Sequence, residues 1–122
     1  MSYPTDCYSK DVLLFVNRAN FSKDSLLEVL TMACGLVGGL SEHKLEIVFI
    51  GDGVTECLAA CLNKETEPYM VYAKSLGVAF WADKYSLDIR GLSQEQLFEG
   101  CAVIPLEDLA ELMKKSDIHL RL

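Results

Sequence analysis

The chain has 122 residues, a length that suits one domain, and 51% of them are apolar. With 11 basic against 18 acidic residues, the net charge is −7, which argues against non-specific binding to nucleic acid or to an anionic membrane. No basic region followed by an apolar run is visible at the N-terminus. The five cysteines are therefore expected to be free thiols in the cytoplasm.

The first part of the chain predicts a tail, a strand and a helix. Residues 1–10 are expected to form a loose tail, and residues 11–122 a single domain. The apolar run Asp11–Val16 has the length of a strand that is buried on both faces. A helix should begin near Ser22 or Asp24, either of which can cap it, and end at Gly38-Gly39. Its apolar face has helical spacing and consists of Leu26, Leu30, Ala33, Cys34 and Val37.

The middle of the chain predicts two further strands, at residues 45–50 and 78–82. Between them, Gly51-Asp52-Gly53 forms a turn in which Asp52 is a candidate helix cap. A helix is predicted after the turn, with its apolar residues at Val54, Cys57, Leu58 and Cys61. A second helix is predicted through Met70, Ala73 and Leu76, ending at Gly77.

The last part of the chain predicts a short helix, a strand, a long helix and a closing strand. Ser93 and Gln96 have the spacing of a capping box. Residues 101–104 form the fourth strand, Pro105 opens a helix over 106–115, and residues 118–122 form an edge strand. Alternation of strands and helices predicts an α/β fold with three layers: a mostly parallel five-stranded sheet with helices on both faces.

Ligands of such folds bind beyond the carboxyl ends of the strands, where four loops of this chain are expected to meet. The polar side chains of these loops are Asn17, Arg18, Ser22, Asp52, Asp83, Lys84, Tyr85, Asp88 and Arg90. The basic members suit a small anion, for which Arg18, Lys84 and Arg90 are the candidate ligands. In the purely structural interpretation, which we favour, Asp88 and Arg90 fix the loop and Asp52 caps its helix. No phosphate-binding glycine pattern, zinc spacing or catalytic triad is present, and no cofactor or metal is predicted.

Cys57 is the candidate for a reactive thiol. It follows the Gly51–Gly53 turn and lies early in the predicted helix, where the helix dipole can lower the pKa of a thiol. Cys61, four residues later, would share its face. The alternative, which we favour, is that both are small core residues, because cysteine is among the most buried residue types.

The chain resembles the DsrE/DsrF family of small sulfur-relay proteins. The resemblance rests on the strand followed by Gly51-Asp-Gly-Val54, on Leu76-Gly-Val78, on Arg90-Gly-Leu92, and on the final helix and strand from residue 106 to 122. It implies a flavodoxin-like subunit that assembles as a dimer, trimer or hexamer, with itself or with DsrE-type paralogues. A protein that donates or accepts sulfur is a further expected partner.

The resemblance also implies a persulfide-carrying cysteine eight residues before the glycine of the Arg-Gly pair. That position is Asp83 here, and a carboxylate cannot accept sulfane sulfur as a thiolate does. The chain is therefore similar to the DsrF/TusC type, which works beside an active partner. We expect a binding or scaffold subunit without independent catalysis. The alternatives are sulfur transfer through Cys57 and, in another class, a small-anion-binding or small-ligand-binding regulator.

Overall fold

Parallel strands form the centre of the fold. The structure is a computed structural model that describes residues 10–18, 25–38 and 43–122. Within these residues the sheet has the order β4-β3-β2-β1-β5, and every pairing is parallel. The strands are β1 (Asp11–Val16), β2 (Lys44–Phe49), β3 (Ala79–Asp83), β4 (Cys101–Ile104) and β5 (Ile118–Arg121). The predicted strands are confirmed, β1 and β4 with the predicted bounds.

Helices cover both faces of this sheet. The α-helices are α1 (Ser25–Val37), α2 (Glu67–Ser75), α3 (Lys84–Asp88) and α4 (Leu106–Lys115). The 3-10 helices are Gly51–Cys57, Ala59–Cys61 and Gln94–Gln96, the last of which carries the predicted capping box of Ser93 and Gln96. The start of α1 near Ser22 or Asp24 falls outside the described residues, as does the tail over residues 1–9.

The two faces differ in how much helix covers them. The first face carries the larger core, in which α1 and α2 pack on alternate strand residues such as Leu14, Ile47 and Phe80. The second face carries a smaller cluster, in which Leu109 of α4 packs on Leu13 and Val48. The three-layer α/β fold with helices on both faces is therefore confirmed.

The chain changes face at β4, where the steady run of strands from β1 to β4 across the sheet ends. Residues after β3, including Leu87 and Phe98, pack in the core of the first face, whereas α4, which follows β4, packs on the second. The strand order reverses at the same point, as right-handed crossovers require. When the segments that follow two adjacent strands pack on opposite faces of the sheet, a crevice opens at the carboxyl ends of those strands. The fold therefore places its switch point beyond Asp83 and Ile104, which are paired in the sheet.

The helix predicted through Val54, Cys57, Leu58 and Cys61 is wrong. Two 3-10 helices occupy this segment, and Leu58 between them is extended, with φ −66° and ψ 140°. Leu58 makes an antiparallel bridge with Leu97, and the Phe98 N–H donates to the Cys57 carbonyl at 2.8 Å. Backbone pairing with a distant segment therefore replaces the helix that the local spacing predicted.

The described residues include no helix whose length and apolar character would let it cross a membrane.

Candidate functional site

Hydrogen bonds join three of the four segments that the sequence predicted to meet at the carboxyl edge of the sheet. The Ile50 N–H donates to the Val16 carbonyl at 2.9 Å, which joins the ends of β1 and β2. The Gly51 N–H donates to Ser86 Oγ, also at 2.9 Å, which joins the turn after β2 to helix α3 after β3. Position 83 therefore lies close to the Gly51 turn.

Glycine is required where the turn after β2 meets the end of β1. A Cβ atom on Gly53 would overlap the Val16 carbonyl oxygen, so any larger residue would push the two loops apart. Gly51 has a φ of 59°, in the left-handed region that glycine adopts without strain. A Cβ atom there would also lie 2.8 Å from Asn17 Oδ1. Close backbone approach explains both glycines, and it places Asn17 beside the turn.

Asp83 closes β3 and caps α3. Its carboxylate accepts hydrogen bonds from the Ser86 N–H at 3.0 Å and from Ser86 Oγ at 2.6 Å. The residue is only 5% exposed, so these donors replace the water that a carboxylate needs. The segment 83–91, which we predicted to be a loop, contains this short helix because Asp83 satisfies an amide of its first turn.

Ser86 is the residue of the site that the sequence reasoning missed. It is 4% exposed, its hydroxyl donates to Asp83, and its oxygen accepts from the Gly51 N–H. The spacing Asp-x-x-Ser directly after a strand is the signal that could have identified Ser86. An N-cap side chain at position 83 accepts a hydrogen bond from the backbone of the third residue after it, which is Ser86. Ser86 therefore connects the turn after β2 to the position that the family resemblance singled out.

Arg90 also connects the turn after β2 to helix α3, through its guanidinium. Its guanidinium donates from Nη1 to the Ser86 carbonyl at 3.0 Å and from Nη2 to Asp52 Oδ1 at 2.6 Å. The proposed capping role of Asp52 is wrong, since the 3-10 helix there follows Ile50 without a side-chain cap. Asp52 forms an ion pair with Arg90 instead.

The remaining predicted pocket residues are more exposed. Lys84 Nζ lies 3.8 Å from Asp88 Oδ2, and both side chains are about 60% exposed. Arg18 is exposed at the end of the described segment 10–18, and Ser22 falls outside the described residues. Since Arg90 already binds a carboxylate, an anion would compete with Asp52 for its guanidinium.

None of the four cysteines that the structure describes lies at the site, and Cys7 falls outside the described residues. Cys57 is fully buried at the end of its 3-10 helix, so the helix-dipole argument for a reactive thiol is wrong. Burial raises the pKa of the Cys57 thiol, and interaction with Cys101 raises it further. Cys101 is buried at the amino end of β4, as predicted. Cys61 is half-buried, and burial raises the pKa of its thiol as well, while its Sγ donates to the Thr55 carbonyl at 3.2 Å.

Exposed apolar side chains flank the crevice between β3 and β4. Tyr85 and Ile89 of the segment after β3 are 70% and 60% exposed, and Leu106 at the start of α4 is 72% exposed. Large apolar side chains at this exposure, next to the ends of two adjacent strands, are typical of surfaces that another protein covers. Across the described residues, no three His, Cys, Asp or Glu side chains come together as a metal site.

Comparisons with known proteins agree with this geometry. The DsrE/DsrF-like family model matches residues 9–122. Among solved structures, the YchN protein from E. coli is 22% identical, with a TM-score of 0.75 over 93% of this chain and 99% of that chain. The protein of unknown function MTH1491 from Methanobacterium thermoautotrophicum is 18% identical, with a TM-score of 0.69 over 94% and 99%. At this identity the two structures establish the fold alone. A comparison with curated proteins found no match.

Proposed function

Because the chain belongs to the DsrE/DsrF-like family, we propose that it is a subunit of a sulfur-relay complex that binds or scaffolds its partners and has no loop thiol of its own. Membership of the family supports a sulfur-relay role in general. The finer role rests on the chemistry of position 83.

The environment of Asp83 is the observation that carries this proposal. The resemblance implies a persulfide cysteine at this position, and the position lies at the switch point where α/β folds bind ligands. Here a buried carboxylate holds helix α3 through both donors of Ser86. A carboxylate that is used in this way stabilises the loop and cannot carry sulfane sulfur.

Exposed apolar side chains support a role in assembly. Tyr85 and Ile89 follow Asp83 along the chain, and Leu106 follows Ile104, which is paired with Asp83 in the sheet. A protein that buries these side chains would bring its own reactive group to this edge of the sheet. We propose that the occupant is another subunit, either a second copy in a dimer, trimer or hexamer or a DsrE-type paralogue with a loop cysteine. In this proposal, a protein that donates or accepts sulfur binds to the assembled complex. The proposed location of the complex is the cytoplasm.

Sulfur loading tests the absence of a loop thiol. The purified protein is incubated with polysulfide, and persulfides are mapped by mass spectrometry of peptides alkylated under native conditions. We expect no stable persulfide on Cys57 or Cys101, whose thiols are buried. A stable persulfide on either cysteine would refute the scaffold role and restore sulfur transfer through that thiol.

Restoring the thiol gives the complementary test. Position 83 is as buried as Cys101, but in Asp83→Cys the new thiolate would accept from the Ser86 N–H and hydroxyl. These two donors offset the burial, lower the pKa of the new thiol and favour its reaction with polysulfide. Asp83→Ser is the matched control, with the same loss of the carboxylate and no thiol. We expect a persulfide at position 83 in the first variant and none there in the control. If the first variant folds and gains no sulfur, the inferred correspondence of position 83 is incorrect.

Light scattering tests the assembly. We expect a mass above that of one 13.6 kDa chain, alone or after mixing with a paralogue that carries the loop cysteine. Tyr85→Ser combined with Leu106→Ser should lower that mass without unfolding the domain, since both side chains are exposed. A small-anion-binding regulator is the alternative function. It is less well supported, because its anion must compete with Asp52 for Arg90.

A further inference from the structure

A cavity of about 450 Å³ lies at the amino edge of the sheet, opposite to the site described above. Its walls include the amino ends of β1 and β2, with Val12 and Leu45, and the end of α4, with Leu112. The volume lies within the range of small-molecule sites. The cavity exists because α4, with ten residues, is the helix that packs on the second face and leaves part of this edge uncovered.

Four charged side chains line this cavity, two of each sign. They are Asp11, Glu46, Lys44 and Lys115. None of these four side chains has an oppositely charged group within 4.0 Å among the described residues, where the ion pairs are formed by other side chains. Unpaired charges of both signs around a partly apolar cavity match a ligand that carries both charges itself.

Helix ends add to the negative side of the cavity. Leu76 and Gly77, which follow the end of α2, and Lys115, which ends α4, lie in its wall. The carboxyl end of a helix carries partial negative charge, which favours a cation bound nearby. Together with the carboxylates of Glu46 and Asp11, the two helix ends suit an ammonium group.

We propose that this cavity binds a zwitterionic ligand of the amino-acid class with an apolar side chain. Its ammonium group binds Glu46 and Asp11, its carboxylate binds Lys44 and Lys115, and its side chain contacts the apolar wall around Leu112. Polyphosphates fit less well, because the two carboxylates of the cavity would repel them. The proposal is independent of the sulfur-relay function, since it uses none of the residues at the other edge.

The chain contains one tryptophan, and it reports on this cavity. Trp81 Nε1 donates to Glu46 Oε1 at 3.4 Å, and the Trp81 side chain is half-buried on the second face of the sheet. An ammonium group that binds Glu46 changes the charge beside the indole ring. Binding should therefore change the intensity or the wavelength of tryptophan fluorescence.

The test titrates the full-length protein with L-leucine while tryptophan fluorescence and the heat of binding are measured. We expect saturable binding with a dissociation constant of about 1 mM or tighter. N-acetyl-leucine lacks the ammonium charge and leucine methyl ester lacks the carboxylate, so each should bind at least about tenfold more weakly. Absence of saturable binding by L-leucine, L-methionine and L-valine, or equal binding of the blocked compounds, would overturn the proposal.

Variants locate the site. Glu46→Gln keeps an acceptor for Trp81 and removes the charge, and Lys115→Met removes one of the two proposed carboxylate ligands. Lys114→Met is the matched control. Lys114 is next to Lys115 in sequence, but its Nζ lies 3.5 Å from Glu111 Oε1, and the residue does not line the cavity. We expect weaker binding by about tenfold in the first two variants and no change in the control. Unchanged binding in Lys115→Met, an exposed position that tolerates substitution, would place the ligand elsewhere and refute the assignment.

Discussion

Replacing Ser86 by alanine tests the proposed structure of the site most directly. The hydroxyl of Ser86 makes two hydrogen bonds, to the Asp83 carboxylate at 2.6 Å and from the Gly51 N–H at 2.9 Å. Alanine removes both and leaves the Asp83 carboxylate with the Ser86 N–H as its remaining donor among these contacts. The substitution therefore loosens the connection between the turn after β2 and helix α3.

The expected cost follows from the character of the two bonds. A hydrogen bond to a charged group contributes about 1.5–3 kcal/mol, and a part-buried amide left without a partner costs about 1 kcal/mol or more. Local rearrangement and water recover some of this. We therefore expect the free energy of unfolding to fall by about 3 kcal/mol, which lowers the melting temperature of a domain of this size by roughly 10 °C.

Urea denaturation of the wild type and of Ser86→Ala measures this difference. Ser75→Ala is the control, because the Ser75 hydroxyl donates to the Tyr72 carbonyl on an exposed helix, where removal should cost less than about 0.5 kcal/mol. Hydrogen exchange of the Gly51 amide should accelerate in Ser86→Ala and stay unchanged in the control. If both variants unfold within about 0.5 kcal/mol of the wild type, Ser86 does not connect the two loops as described.

Three more outcomes can be measured on the same protein. Gly53→Ala should lower the free energy of unfolding in urea by about 3 kcal/mol or more, because the new Cβ would overlap the carbonyl oxygen at the end of β1. Gly35→Ala in α1 is the control: a Cβ there has open space, so the substitution should be neutral or stabilising. Arg90→Met should lower the free energy of unfolding by about 1 kcal/mol. Because the partner carboxylate of Asp52 is 73% exposed, 1 M NaCl should reduce this difference between variant and wild type. A difference that does not depend on salt would contradict an electrostatic origin. Native alkylation by iodoacetamide, followed by mass spectrometry, should modify Cys61 before Cys57, and both slowly at pH 7, because burial raises the pKa of each thiol and leaves less thiolate. The Cys61 rate should rise as the pH is made more alkaline. Prompt labelling of Cys57 at pH 7 would contradict its burial.

Local pattern was sufficient for the strands and for α4. The apolar run Asp11–Val16 can be buried on both faces only where helices cover both sides of a sheet, so its length and hydrophobicity predicted the strand. The shorter apolar run Cys101–Ile104 predicted β4, the strand at the sheet edge, in the same way. Pro105 and the charge order of the last helix predicted the bounds of α4 in the same way. These signals depend on neighbours in sequence, and no distant contact overrides them.

The segment from residue 54 to 61 shows where such reasoning stops. Its apolar spacing fits a helix, yet Leu58 and Cys57 form backbone bonds with the segment around Leu97, forty residues away along the chain. A contact with so distant a segment has no local signature. The prediction of a helix failed for this reason, and with it failed the argument that a helix dipole activates Cys57.

The amino-acid sequence by itself determined the order of strands and helices, the parallel sheet and the edge at which the loops gather, because burial of apolar strands allows few other arrangements. The tertiary structure alone decided how the polar side chains at that edge pair. Ser86 between Asp83 and the Gly51 amide, and Arg90 against Asp52, are partners that the folded backbone brings within hydrogen-bond distance. Pairing of this kind depends on distances across the fold, and composition and spacing along the chain do not contain them.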